Sequence, residues 1–295
     1  MSPAARDPTF GLFLIPTAES YPDLLLQAAT AERAGLDLIG IQDHPYQRRF
    51  VDTFALIGDL LARTERLTVF PDVACLPLRP AATLAKLAAS LDTMSGGRFE
   101  LGMGAGAFWD GVAAMGGPRR SPGESVDALE EAIEIVRRFW SGERTISFEG
   151  RHYQVNGLHP GPAPAHEIGI WVGAYKPRML DLTGRLADGW LPSYGGAPPE
   201  AVPEMTKRIE EGAAQAGRDP DAIRRLYNIS GQIVDGPVQE RLKGPSDHWV
   251  ETLTGFVLEL GFDTFVFWPS DDVVGQIERF GREVAPGVRE AVAAG

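Results

Sequence analysis

Three short stretches of this chain set reactive or ligand-binding groups side by side. The first is Gln42-Asp43-His44-Pro45, which follows the apolar run 37–42 and places a carboxylate next to an imidazole. Imidazole titrates at about 6.5 when unperturbed, so His44 is the leading acid/base candidate. The plainer reading makes Asp43 a loop cap and His44 a solvated or packed loop residue. The second is Gly104-Ala105-Gly106, at the end of the run 98–103. Two glycines around an alanine leave bare backbone that a flat cofactor or a phosphate can approach, although the full dinucleotide spacing is lacking. The third is Gly173-Ala174-Tyr175-Lys176-Pro177-Arg178, where a glycine precedes a helix that starts at Pro177. Exposed amides, the positive end of a helix dipole and two basic side chains would together receive a phosphate. A helix start with solvated bases is the other reading.

Weaker candidates surround these three. Val73-Ala74-Cys75-Leu76-Pro77 carries small side chains against which a planar ring could lie, or which are plain core. Cys75 has no neighbour in sequence that would stabilise a thiolate and reads first as a small buried hydrophobe. Residues 107–120, without helix or strand pattern, form a long loop with Phe108, Trp109 and Met115, the length of a lid or binding loop. Trp190, Ser193, Asn228, Ser230 and Trp268 stand near other strand ends and are candidates for a pocket wall, Trp190 reading more readily as core.

Regularly alternating elements must hold these groups. Strands are expected at 9–15, 37–42, 67–75, 98–103, 168–172, 189–191, 226–234 and 264–268. Helices are expected at 21–34, 52–63, around 84–91, from 121 onward, and at 177–186, 200–216, 247–260 and 271–284. Leu84, Leu87, Ala88 and Leu91 repeat at helical spacing, and Gly96-Gly97 stops that helix. Ser121-Pro-Gly-Glu124 is a capping box with proline at the first helical position. Between the fourth helix and the fifth strand, 146–155 reads as a hairpin about Glu149-Gly150, followed by the proline-rich stretch GLHPGPAPAH. Eight strands alternating with eight helices predict an α/β (β/α)8 barrel with an insertion after the fourth βα unit, forming one domain over 1–295. A doubly wound open sheet shares the same periodicity. In a barrel the chemistry gathers at the carboxyl ends of the strands, where the three stretches fall.

Composition narrows the partners. A net charge of −12 opposes nucleic acid, so an anionic ligand must be held by local donors. Apolar runs are too short to span a membrane, and residues 1–14 lack the basic region and cleavage site of an export signal, which points to a cytoplasmic protein. One cysteine excludes an internal disulfide, and five histidines at no metal-ligand spacing lead us to expect no metal.

Five segments in order, AERAGLDLIGIQDH, LDTMSGGRFELGMGAG, EEAIEIVRRFWSG, FEGRHYQV and WVGAYKPRMLDLTGRLADGWLP, resemble the luciferase-like superfamily of flavin- and deazaflavin-dependent oxidoreductases. The resemblance implies a (β/α)8 barrel, a flavin-type ring at its carboxyl end and a homodimer. It also implies a non-proline cis peptide around Val73 to Cys75 and a phosphate at Gly173 to Lys176. The ring would meet Ala74, Cys75, Gly104, Ala105 and Gly106, and the phosphate Gly173, Ala174, Tyr175, Lys176 and Arg178. The Asp43-His44-Pro45 turn is similar to the coenzyme F420 branch, which implies hydride transfer to or from a C=C, C=N or C=O bond. His44 would then be the acid or base, oriented by Asp43. FMN with oxygen and a partner flavin reductase is the alternative chemistry, and a flavin-binding protein without turnover is a further one. F420-dependent sugar-phosphate dehydrogenases have a glutamate just after the glycine motif, where this chain has Ala107. A more apolar small molecule, met by Phe108, Trp109, Trp190, Asn228 and Trp268, is therefore the expected substrate.

Overall fold

The computed structural model describes residues 6–294; the part of the export-signal reading that rests on residues 1–5 lies outside them. Strand β1 (Thr9–Leu14) pairs in parallel with β2 (Leu38–Ile41), and β2 with β3 (Thr68–Pro71). On its other side β1 pairs with β12 (Thr264–Pro269), and the ring continues through β10 (Arg224–Ile233), β9 (Gly189–Trp190), β8 (Ile170–Val172) and β5 (Leu101–Gly104) to β4 (Ala74–Cys75). All of these pairings are parallel. Because β3 and β4 are two parts of one chain segment, and Val69 bridges to Phe99, the sheet closes into a barrel.

Helices α1 (Tyr21–Arg33), α2 (Thr53–Arg63), α3 (Ala81–Ser95), α5 (Pro122–Trp140), α6 (Pro177–Leu186), α7 (Val202–Gln215) and α8 (Ser246–Leu260) follow successive strands. The insertion is a two-stranded antiparallel hairpin, β6 (Ile146–Glu149) and β7 (Gln154–Leu158), between α5 and β8. Phe13, Leu38, Phe70, Trp171, Leu191, Leu226 and Val266 fill the barrel interior, while a larger apolar layer lies between barrel and helices. These buried side chains form a plug, and the cavity lies at the barrel's end.

The structure departs from the sequence pattern in several places. The strand expected over 67–75 is broken by a cis peptide between Asp72 and Val73, so that β3 pairs with β2 and β4 with β5. The strand expected at 98–103 starts at Leu101, because Phe99 reaches β3 only through an isolated bridge. The loop 107–120 holds a six-residue helix, α4 (Trp109–Ala114), too short to show a helical period. The last helix does not stop at 284: α9 (Val273–Arg279) runs through a π-turn, 280–284, into α10 (Ala285–Ala294). Pro286 falls at the junction of the π-turn and α10. β10 also continues past the barrel to pair with β11 (Lys243–Gly244). No helix among the described residues is long and apolar enough to cross a membrane.

At the start of α5 the Ser121 side chain accepts from the Glu124 amide, while the Glu124 carboxylate accepts from the Ser121 amide. Ser121→Ala removes one half of this box and should lower stability by about 0.5–2 kcal/mol, read as a lower urea midpoint at unchanged slope.

Candidate functional site

One cavity of about 1120 Å³ opens at the carboxyl ends of the strands. Its walls bring together all three stretches singled out above. Asp43 and His44 come from the end of β2, Ala74 and Cys75 from β4, Gly104 to Gly106 from β5, and Gly173, Tyr175, Lys176 and Arg178 from the β8–α6 turn.

Asp43 is 3% exposed, and its carboxylate is fully engaged. It accepts from the Cys75 amide at 2.9 Å, from Arg79 Nε at 2.8 Å and from Arg79 Nη2 at 2.7 Å. Arg79 also reaches Asp52, the N-cap of α2, at 2.8 Å and lies over the Phe54 ring. The expected orienting contact from Asp43 to His44 is therefore absent, because two-pronged pairing with a guanidinium takes the carboxylate away from the imidazole. His44 Nδ1 instead meets the Tyr46 hydroxyl at 2.5 Å. Burial holds the His44 imidazole below its ordinary value, against the opposing pull of the Asp43 charge. Burial also pushes the Tyr46 phenol up to about 12 and the Cys75 thiol up to about 11, so both stay protonated near neutrality.

The backbone around Val73 is shaped for a flat group. A methyl at Gly104 would stand 2.6 Å from Val73 Cγ2, and one at Gly106, whose φ is +96°, would stand 2.6 Å from Pro77 Cγ. Gly104 and Gly173 thus flank the Val73 side chain with bare backbone. Ala105 lines the same wall. Ala174, expected beside it, is 1% exposed and faces away; its carbonyl accepts from the Trp190 indole at 2.9 Å. Trp190 is itself fully buried and stacked on Phe262, hence core and outside the cavity. Phe108 is also outside: it stands 53% exposed with its ring against Tyr46, while Trp109, one residue on in α4, lines the cavity. Trp268 lines the mouth against Phe13, ring centroids 5.2 Å apart. At the rim Lys176 is the exposed N-cap residue of α6, and Arg178 pairs with Asp127 at 2.7 Å.

Asn228 lies at the cavity floor and donates to Asp72 Oδ1 at 3.0 Å. Asp72 Oδ2 and Asn228 Oδ1 are buried without a partner. Burial raises the Asp72 carboxyl to about 7, the Asn228 bond opposing. Asp72, Tyr46 and Arg79 escaped the sequence reading. The available signals were a lone acid inside the apolar run VFPDVAC and a phenol two residues after the histidine. No group of three or more potential metal ligands occurs among the described residues.

Comparison with known proteins places this geometry among relatives. The model of the luciferase-like monooxygenase family matches residues 9–237. An uncharacterized protein of Mycobacterium tuberculosis is 33% identical over 198 residues, covering 67% of this chain and 66% of that protein. The F420-dependent glucose-6-phosphate dehydrogenase of Microbacterium testaceum is 29% identical, covering 70% of this chain and 63% of that enzyme. The chain thus spans just under two thirds of the length of these curated relatives. Among solved structures, an F420-dependent secondary alcohol dehydrogenase in complex with an F420-acetone adduct superposes with a TM-score of 0.85 at 21% identity, over 96% of this chain and 99% of that one.

The raised carboxyl at Asp72 predicts a pH signature. The unfolded chain ionises at about 4 and the folded one at about 7, so the stability that Asp72 contributes is present below the first value and lost as pH rises through the second. Asp72→Asn keeps the shape and removes the titration. Its stability relative to the parent should rise between pH 4 and 8 by about 2–4 kcal/mol, read from urea unfolding at both pH values. A constant difference would contradict the raised carboxyl.

Proposed function

The chain belongs to the luciferase-like monooxygenase family, and on that premise we propose that it is an oxidoreductase that uses coenzyme F420 to move a hydride to or from a small organic molecule. The observation that carries this reading is one cavity with glycine-bare strand ends on one wall and an imidazole on another. The F420-dependent relatives by name support the choice of cofactor.

The residues fit such a group. Val73, with bare backbone at Gly104 and Gly173 beside it, would back a flat ring, and Ala74, Cys75, Ala105 and Gly106 would complete that wall. The first turn of α6, Lys176 above all, would hold its phosphate, with Arg178 shared with Asp127. The bound deazaflavin supplies a hydride donor or acceptor that reacts poorly with oxygen. His44 would give a proton to the reduced substrate, or take one in the reverse direction, through the nitrogen facing the cavity. Asp43 acts one step back, by fixing the strand end that carries His44. Phe13, Trp109 and Trp268 would present apolar surface to the substrate. Ala107 offers a methyl where sugar-phosphate dehydrogenases of this resemblance have an acid, which favours a more apolar carbonyl, imine or enone. The homodimer and the cytoplasmic setting expected from the sequence belong to the same proposal.

The family's own description favours one second reading, an FMN-dependent monooxygenase served by a partner reductase. Absorption titration with F420 and with FMN separates the two: F420 binding in preference to FMN is expected, and FMN binding alone would remove the F420 assignment. With F420 bound and a panel of enones, imines and carbonyls supplied, His44→Ala should cut turnover by about 10²–10⁴-fold while changing cofactor affinity little. Lys176→Ala should instead weaken cofactor binding about tenfold, equal to roughly 1.4 kcal/mol, and unaltered affinity would refute its role at the phosphate.

A further inference from the structure

We propose that Tyr46 is the positioning residue for His44: its hydroxyl holds Nδ1 and leaves Nε2 as the nitrogen presented to the ligand. The proposal rests on the acid/base reading of His44 given above and asks what orients that ring once Asp43 is excluded.

The geometry is specific. Tyr46 is two residues beyond His44, its hydroxyl is 2.5 Å from Nδ1, and the rings are tilted 51° with centroids 5.4 Å apart, so a hydrogen bond and not a stack joins them. Both side chains line the cavity. The nearby charges are already paired: Asp43 is taken by Arg79 and the Cys75 amide, and Arg79 is shared with Asp52. Cys75, whose charge would also reach Tyr46, is a buried thiol, and Asp72 of the same cavity bonds Asn228.

A hydroxyl suits a ring that must change its protonation state. It accepts from Nδ1–H when the imidazole is charged and can donate to Nδ1 or accept from it when the imidazole is neutral, whereas a carboxylate only accepts. It adds no negative charge, so it orients the ring without stabilising the imidazolium as a carboxylate would. The phenol remains neutral throughout, being pushed up to about 12 by burial.

Tyr46 is itself braced by the segment that contributes Trp109 to the cavity. The Phe108 ring meets it edge-on at 5.3 Å, and Gly111 of α4 lies so close that a methyl there would be 2.7 Å from Tyr46 Cγ. The orientation of His44 is in this way tied to the seating of α4.

The test needs no cofactor. The whole chain is labelled with ¹⁵N at its histidines, His44→Gln identifies the His44 signals, and the ring is titrated in the parent and in Tyr46→Phe. Expected in the parent are a hydrogen-bonded Nδ1 shift and a midpoint below about 6.5. In Tyr46→Phe the Nδ1 signal should move toward that of an unpartnered ring, with an altered balance of its two neutral forms. Superimposable titrations would overturn the proposal. So would an unbonded Nδ1 in the parent, a result that depends on no variant. A second arm uses F420 turnover, where Tyr46→Phe should lower the rate about tenfold and shift its pH profile at unchanged cofactor affinity. Failure of F420 to bind would sink the cofactor reading and leave the imidazole titration to decide the role of Tyr46.

Discussion

The buried pairing of Asp43 with Arg79 is the interaction on which the cavity depends. It crosses the opening between β2 and β4, where the cis peptide interrupts the third barrel strand, and it adds the Cys75 amide to the same carboxylate. Arg79 carries the connection on to the N-cap of α2. A carboxylate with 1% of its side chain exposed and a guanidinium with 14% are costly to desolvate, and only this saturated geometry offsets that cost. Removing Arg79 would leave the buried Asp43 carboxylate without a counter-charge, a penalty of about 3–5 kcal/mol, whereas an Arg79 without Asp43 would keep Asp52. The His44 backbone follows directly from this fixed point.

With Asp43 committed to structure, the cavity holds polar groups of two kinds. His44 and Tyr46 form a neutral pair at one wall, with the imidazole held below its ordinary value by burial. Asp72 and Asn228 form a second pair at the floor, just above the apolar plug of the barrel, and keep two buried oxygens without partners. Such atoms are seldom left alone in folded proteins. Their position beneath the flat wall at Val73 makes the floor a place where a ligand's polar edge would be felt.

Much of this was legible in the chain. The alternation of strands and helices, the hairpin insertion and the capping box at Ser121 follow from side-chain periodicity and local turn chemistry, which act over a few residues. The convergence of Asp43-His44, Gly104–Gly106 and Gly173–Arg178 follows from the barrel, since each stretch ends a parallel strand. Partners were less legible. Asp43 adjoins His44 in sequence, yet its carboxylate is claimed by an arginine 36 residues later. Trp190 and Ala174 lie near strand ends, yet their side chains face away from the cavity. Strand alternation makes that choice, and a one-residue difference in where a short strand begins reverses it.

The sequence by itself determined that the chain alternates β and α, that bare glycine backbone and a histidine fall after strands, and that one segment is inserted before the fifth strand. These are consequences of local propensity and spacing. Only the tertiary structure decided which carboxylate is bound to structure, which hydroxyl faces the imidazole, and that an aspartate in an apolar run lies at the cavity floor. The first and last of these depend on contacts between residues distant in the chain, and the pairing of His44 with Tyr46, though local, has its tyrosine seated against Phe108 and Gly111; the burial that sets hydrogen bonding and desolvation comes from the closed barrel.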